Sequence, residues 1–401
     1  MEAIYNIYLT LVEHKNPTIN LLLVMVIIWT TGVIFRRINL PQVLGELLAG
    51  IIFGPPGLEI IKPDETLNVL SELGVFFLMF YAGLETNPFD LKRHIKPSLL
   101  TGTGGFLLPL CLGYFVCRFV GMLPIQALFV GMALSVTAIA VNARVLIDMN
   151  LTKFRIMPVI IGASIINDIF SLGLFTLVND VAVAKTGLHI INVIILLFKV
   201  FLFFVFSIFI GLLLYPYLGK HFGSREAKGF TFALIMALIF GVLAEASGLH
   251  IILGAYMAGL FVREEIVSPV LFQKISDRFV SITYGFLGPI FFVSLSFHVT
   301  FDIFLTHFWL IITLLVVAIT GKILGAGGGA LMAKMRLEES AVIGLTMNGR
   351  GVVELVIASI GLTAGLIDNT IFSILVTITF FTTALPPLSL SLLLKRVKLA
   401  E

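Results

Sequence analysis

The sequence predicts an all-α polytopic membrane protein with about 13 transmembrane helices. Of its 401 residues, 59% are hydrophobic and 12% are charged, roughly half the charged share of an ordinary soluble domain. The mean hydropathy is +1.09, and the apolar runs continue for about 20 residues, the length with which an α-helix crosses a bilayer. They lack the alternation of a membrane β-strand. Composition and pattern therefore exclude a water-soluble fold and a β-barrel.

Apolar stretches bounded by charged residues, glycine or proline mark the predicted spans. They lie near 19–35, 41–58, 67–86, 98–117, 124–147, 156–179, 189–215, 229–247, 250–262, 279–298, 303–333, 340–362 and 370–394. We expect an N-terminal segment over 1–18, a transmembrane domain over 19–394 and a cytoplasmic tail over 395–401. The N-terminus carries Glu2 and no basic cluster, so the first span is expected to act as an uncleaved signal.

The basic residues indicate how the chain is oriented in the membrane. An odd number of spans places the termini on opposite sides. The side opposite the C-terminus holds Lys15, Lys62, Arg118 and Lys185, and a further three basic residues lie within spans, which leaves 19 of the 26 on the C-terminal side. Cytoplasmic loops carry the excess of Lys and Arg. The sequence therefore predicts a cytoplasmic C-terminus and an external N-terminus.

The span count also permits an inverted repeat, with a first repeat over about 19–180, a linker span near 189–215 and a second repeat over about 229–394. The fifth and twelfth spans would then be counterparts. The fifth contains Ser135-Val136-Thr137-Ala138, in which β-branched and hydroxyl side chains favour unwinding. The twelfth contains Asn348-Gly349-Arg350-Gly351. We predict a helix break at each; a packing notch for small residues is the alternative.

Asp168, in VIIGASIINDIFSLGLF, is the acidic residue placed most deeply in an apolar span. Burial disfavours its ionised form, so this side chain is able to hold a proton near neutral pH. Ser164 lies one helical turn earlier on the same face, and Asn167 adds an amide oxygen. These hard oxygen ligands suit a small alkali cation. The alternative is a structural pair of Asp168 with Lys322 or Arg350, although a buried ion pair is a poor source of stability.

A carboxylate that binds either a proton or a cation is sufficient for exchange, because each occupant excludes the other. The sequence has no P-loop lysine motif and no HExxH, so we expect a transporter driven by an ion gradient and not an enzyme. Cys111 and Cys117 lie within one span and are expected to be packing residues, and no cofactor is predicted. The basic residues do not form the patch that a nucleic-acid partner needs.

Seven motifs that occur in order resemble the monovalent cation:proton antiporter-2 family, which includes bacterial sodium/proton antiporters and the membrane part of glutathione-gated (Kef-type) potassium efflux proteins. The motifs are LPQVLGELLAGIIFGPPGL, LSELGVFFLMFYAGLETNP, INDIFSLGLF, ILGAYMAGLFV, GFLGPIFFVSLS, ITGKILGAGGGAL and MNGRGVVELVIASIGL. The resemblance covers residues 19 to 394. It implies a homodimer in the cell (inner) membrane, with a moving core domain, a dimerisation domain and two broken helices that cross beside the acidic site.

The resemblance also implies roles for individual residues. Asp168 matches the family's ion- and proton-binding aspartate, and Ser164 and Thr137 match accessory ligands of the monovalent cation. Lys322 matches the lysine of the lysine-containing members. Arg350 and Glu354 match a charged pair of many members, and this arginine would offset negative charge when the aspartate is ionised. These roles form the expected site: Asp168, Asn167, Ser164 and Thr137 for the ion and proton, and Lys322, Arg350 and Glu354 for charge compensation.

Asn167 departs from the pattern of the electrogenic members, which carry a second aspartate at this position. The Asn-Asp pair predicts electroneutral exchange, whereas Lys322 is associated with the electrogenic type. We therefore expect a secondary active antiporter that exchanges Na⁺ or Li⁺ for H⁺ by alternating access, with the role of pH homeostasis. A K⁺/H⁺ antiporter, a ligand-gated K⁺ efflux protein and a channel-like sensor on the same fold are the alternatives. Glu46, Glu72, Glu85, Glu245, His250, His298 and His307 are weaker candidates for vestibule or pH-sensing roles.

Overall fold

A computed structural model describes residues 17–37, 42–85, 94–138, 154–183, 226–247, 249–262, 269–300 and 302–393, together with single positions such as 142 and 146. All regular structure in these ranges is helical. The helices, numbered here in chain order, are α1 Pro17–Arg37, α2 Gln42–Phe53, α3 Glu65–Glu85, α4 Ile95–Phe119, α5 Pro124–Ala133, α6 Ile156–Val183, α7 Glu226–Ala246, α8 Ile251–Phe261, α9 Pro269–Ile282, α10 Gly288–Ser296, α11 Ile303–Thr306, α12 Phe308–Met332, α13 Leu337–Thr346, α14 Val352–Thr363 and α15 Asn369–Leu393.

The predicted fold class is confirmed. Eight helices in the described ranges are long and apolar enough to cross a bilayer, and α2, α5, α8 and Val353–Thr363 within α14 are shorter apolar helices. The chain is thus a multi-pass membrane protein. The total of 13 spans stays a prediction, because the linker span near 189–215 lies largely outside the described residues, as do Lys199, residues 1–16 and the tail over 395–401.

The tenth predicted span begins earlier than the sequence pattern indicates. The helical stretch starts at Pro269, not near 279, and α9 continues through a π-helical turn, Thr283–Leu287, into α10. The first part of α9 carries the polar residues Gln273, Lys274, Asp277 and Arg278. A criterion based on continuous apolar residues therefore missed an amphipathic extension of the same helix.

The chain forms two compact units. One consists of Met1–Leu78 and Phe279–Phe301. Its core joins side chains from α1, α2, α3, α10 and the connection between α2 and α3: Val24, Ile28, Ala49, Ile61, Leu67, Ile290 and Val293. Gly50 of α2 lies directly against the backbone of Val293, so that α2 and α10 approach more closely than a larger residue would allow.

The second unit consists of Met79–Arg278 and Asp302–Glu401 and contains α4, α5, α6, α12, α13, α14 and α15, which position the candidate site. It draws on both predicted repeats, and the division into repeats stays a prediction. Within this unit, α12 packs along α4 through a stripe of glycines spaced by four residues. A Cβ atom on Gly321 would lie 3.1 Å from Cα of Pro109, and Cβ atoms on Gly325 and Gly329 would meet the carbonyl oxygens of Gly104 and Leu100.

Replacing Gly325 by alanine is expected to lower the thermal stability of the purified protein. The new methyl group would collide with the backbone of Gly104, which has no side chain to move aside, and overpacking of this kind costs about 1–3 kcal/mol. Gly328 on the same helix has no atom within 4 Å of its Cβ position, so Gly328→Ala is the matched control. The unfolding temperature of Gly328→Ala in detergent is expected to stay level or rise. An equal fall in the unfolding temperature of both variants would contradict close packing at Gly325.

Candidate ion-binding site

Two interrupted helices meet inside the second unit. Helix α5 ends at Ala133, and a turn at Leu134 and Ser135 leads into an irregular segment as far as Ala138. Helix α13 ends at Thr346, and α14 begins only at Val352. The backbone N–H of Ala138 donates a hydrogen bond of 2.9 Å to the carbonyl oxygen of Gly349. Both breaks fall where the sequence predicts them, and the two unwound segments contact each other directly.

Arg350 holds the end of α5. Its buried guanidinium donates from Nη1 to the carbonyl oxygen of Ala133 at 2.8 Å, and from Nη2 to that of Leu134. Nη1 also lies 3.3 Å from Oε1 of the equally buried Glu354. The last carbonyls of a helix carry partial negative charge and lack partners within the helix. Arg350 therefore compensates the end of α5 and the Glu354 carboxylate together.

Lys322, buried on α12, also forms hydrogen bonds with the segment that follows α5. Its Nζ donates to the carbonyl oxygen of Ser135 and to Oγ1 of Thr137, and it lies 2.9 Å from the amide oxygen of Asn167. A lysine ammonium has three N–H donors, so these contacts use all of them. The predicted charge-compensating residues thus gather around the carbonyl end of α5.

Asn167 forms a hydrogen bond with Lys322 and so helps to position its ammonium group. The hydrogen-bonding neighbours of an asparagine fix the orientation of its amide, and here Nδ2 donates to the carbonyl oxygen of Gly102 at 2.7 Å while Oδ1 accepts from Lys322 and from the Thr137 hydroxyl at 2.9 Å each. Within the described residues, neither Asn167 nor Thr137 forms a hydrogen bond with Asp168. The structure therefore places both predicted cation ligands beside the Lys322 ammonium.

Asp168 is 2% exposed, and its buried Oδ1 accepts no hydrogen bond from the residues that the structure describes. The charge of Lys322 acts on it electrostatically, yet no ion pair within 4 Å joins Asp168 to Lys322 or Arg350 in this part of the chain. This arrangement differs from the structural pair of Asp168 with Lys322 or Arg350 that the sequence left as the alternative. A buried carboxylate oxygen without a partner is open to a proton or to a cation.

Ser164 reaches a residue that sequence reasoning missed. Its Oγ accepts a hydrogen bond of 3.2 Å from Nδ2 of Asn142 and lies 3.7 Å from the sulfur of Met347. Asn142 is fully buried and lies four positions after Ala138, the last residue described in the first break. The one amide in the otherwise apolar stretch AIAVNA could have indicated Asn142. It was missed because charged residues were given more weight than a single amide.

Two of the weaker candidates have other surroundings. His250 lies at the start of α8, where its Nδ1 accepts from the backbone N–H of Ile252 at 3.4 Å and its ring packs against Phe175. Glu46 is buried on α2, within the first unit.

Two discontinuous membrane helices meet at their breaks near Asp168, whose Oδ1 is buried and has no hydrogen-bond partner among the described residues. This arrangement defines a class of protein: the secondary transporters, whose substrate sites lie at such helix breaks. The comparisons with known proteins narrow this class. The transmembrane model of the sodium/hydrogen exchanger family matches residues 21–396. The chain belongs to this family.

Curated relatives match over nearly the full length of the chain. It is 32% identical to the probable Na(+)/H(+) antiporter GerT of Bacillus cereus, over 88% of this chain and 93% of that protein. It is also 32% identical to the Na(+)/H(+)-K(+) antiporter GerN of the same species, over 88% and 89%. The solved structure of the sodium proton antiporter MjNhaP1 from Methanocaldococcus jannaschii covers 94% of the chain, with 97% of its own length aligned, a TM-score of 0.74 and 18% identity. That likeness supports the shared fold.

Proposed function

We propose that this protein is a secondary active antiporter that exchanges a monovalent cation, Na⁺ or Li⁺ before K⁺, for H⁺. The observation that carries the proposal is Asp168: a carboxylate 2% exposed, with a buried oxygen that has no hydrogen-bond partner among the described residues, in an exchanger-family chain. An oxygen of this kind binds a proton or a cation, and the two compete. The names of the relatives GerT and GerN, both Na(+)/H(+) antiporters, support the same substrates.

The mechanism follows from the cost of burying charge. When Asp168 faces the cytoplasm, it releases a proton and binds a cation, and either occupant neutralises the carboxylate. The empty, ionised form crosses poorly, because a bare charge loses its hydration in a medium of low dielectric constant. This penalty makes the exchange obligatory. At acid pH protons occupy the site on both sides, so transport slows.

The finer features of the proposal rest on the sequence. The seven motifs support assignment to the monovalent cation:proton antiporter-2 branch, a homodimer and alternating access between two repeats. The distribution of basic residues supports a cell-membrane protein with its C-terminus in the cytoplasm and its N-terminus outside. The Asn-Asp sequence at 167–168 supports electroneutral exchange. The chemistry proposed is transport without covalent catalysis, so the protein is not an enzyme.

Potassium is the second candidate cation. The name of the relative GerN includes K⁺ beside Na⁺, and Na⁺ and K⁺ use the same oxygen ligands. Proteoliposomes prepared with each cation separate the two, since Na⁺ is expected to drive exchange at lower concentration than K⁺. The reverse order would make this protein a K⁺/H⁺ antiporter.

Proteoliposomes that contain the purified protein and a fluorescent pH indicator test the proposal. An imposed Na⁺ gradient is expected to move protons in the opposite direction, whereas empty liposomes show no such movement. Cation flux without proton movement would favour a channel-like protein and overturn the proposal. Current measured on a solid supported membrane is expected to be negligible; a clear transient would show electrogenic exchange.

A further inference from the structure

Asn142 is a buried polar residue that the mechanism above does not use. It is fully buried, and its backbone N–H donates to the carbonyl oxygen of Ala138 at 3.1 Å. Its side-chain Nδ2 donates to Ser164 and lies 4.0 Å from the sulfur of Met347. Its Oδ1 accepts no hydrogen bond from the described residues.

The unpartnered oxygen of Asn142 and the unpartnered oxygen of Asp168 are related through Ser164. Asn142 contacts Ser164 directly, and Ser164 precedes Asp168 by four positions on α6, so the two α6 side chains share one face. The Asn142 amide donates to Ser164 through nitrogen, which leaves its oxygen available. Buried acceptors without partners are rare in folded proteins. Here one belongs to the side chain that bonds to Ser164, and the other belongs to the residue one helical turn after Ser164.

We infer that the amide oxygen of Asn142 is a ligand of the transported cation, together with Ser164 and Asp168. This inference rests on the proposed exchange function and assigns a specificity-determining residue to it. A carboxamide oxygen binds Na⁺ but takes up no proton near neutral pH, whereas the carboxylate accepts either. Asn142 therefore strengthens the binding of the cation alone and gives the cation its advantage over the proton.

The substitution Asn142→Leu tests the inference in proteoliposomes. It keeps a similar volume and removes the oxygen, and we expect the KM for Na⁺ to rise about tenfold, equivalent to about 1.4 kcal/mol, with little change in the maximal rate. In detergent, Na⁺ is expected to raise the unfolding temperature of the wild-type protein, and this increment is expected to shrink in the variant. If Asn142→Leu aggregates, Asn142→Ala removes the amide without adding bulk and serves the same comparison.

Asn348 supplies the matched control. It is an equally buried asparagine at the other break, its Nδ2 donates to the carbonyl oxygen of Gly344 at 2.9 Å, and its Oδ1 is likewise unpartnered in the described residues. No bond in that part of the chain joins it to Ser164 or Asp168. Asn348→Leu is expected to leave the KM for Na⁺ within about twofold of wild type.

The outcomes separate the two proposals. If wild-type liposomes show no Na⁺-driven proton movement, the exchange function itself fails. If the wild type exchanges and Asn142→Leu or Asn142→Ala keeps the wild-type KM and the wild-type thermal response to Na⁺, the ligand role of Asn142 alone is wrong. An equal rise of KM in Asn142→Leu and Asn348→Leu would also overturn it, because the effect would then come from the loss of any buried amide.

Discussion

Asp168→Asn is expected to reduce Na⁺-driven proton movement to the level of empty liposomes. Asparagine has nearly the same shape as aspartate, but it neither ionises nor carries a proton, so the competition between cation and proton disappears. The protein itself is expected to fold at least as stably as the wild type. A buried carboxyl group without a hydrogen-bond partner costs free energy when it is charged, and the neutral amide removes that cost. The measurements are exchange in proteoliposomes and unfolding temperature in detergent.

Asp368→Asn makes the same chemical change at an exposed site and serves as the control. Oδ1 of Asp368 accepts from the backbone N–H of Ile371 at 2.8 Å at the start of α15, and asparagine caps a helix about as well as aspartate does. Exchange by this variant is expected to match the wild type. Wild-type exchange by Asp168→Asn would contradict the mechanism, whereas a loss of folding would show that Asp168 has a structural role.

Arg350→Leu is expected to cause the largest loss of stability among single substitutions at the crossing. Leucine fills part of the volume but leaves the carboxylate of Glu354 buried and unpaired, and it frees the carbonyl oxygens of Ala133 and Leu134. Removing one partner of a buried ion pair costs about 3–5 kcal/mol. We expect a large fall of the unfolding temperature in detergent, with weakened exchange in any protein that still folds.

The double variant Arg350→Leu/Glu354→Leu separates the ion pair from the capping of α5. Removing both charges is expected to recover part of the loss, since no buried charge is then left without a partner. The remaining deficit measures the uncapped carbonyls. Arg118→Leu, at an exposed arginine near the end of α4, is the control and is expected to change stability by about 0.5 kcal/mol or less. A double variant less stable than Arg350→Leu would contradict this division.

The sequence was sufficient to predict the helical membrane fold, both helix breaks and the buried aspartate. Each of these leaves a local mark: continuous apolar runs predict spans, glycines flanking Arg350 predict a break, and the isolation of Asp168 among apolar residues predicts a site. The early start of α9 was missed because it leaves no mark of this kind. Its polar face interrupts the apolar run, although the helix itself continues.

The partners within the site were beyond local reasoning. Asn142 and Ser164 lie 22 positions apart, and Lys322 and Ser135 lie 187 apart, so their contacts depend on how α5, α6 and α12 pack. Sequence alone predicted charge-compensating roles for Lys322 and Arg350, with pairing to Asp168 as the alternative. The structure adds partners that the sequence did not indicate, the backbone carbonyls at the end of α5. The end of an interrupted helix carries negative charge that residue counting does not include.

The glycine stripe between α4 and α12 bears on how the site is able to move. Packed helices ordinarily slide past each other through small adjustments of interposed side chains, and along Gly321, Gly325 and Gly329 the contact is made with backbone or proline instead. Changes of side-chain rotamer cannot accommodate sliding of the two helices along this contact. Helices α4 and α12 must therefore move as one rigid element that carries the Lys322 ammonium. The conformational change that transport requires must then take place at other contacts in the molecule.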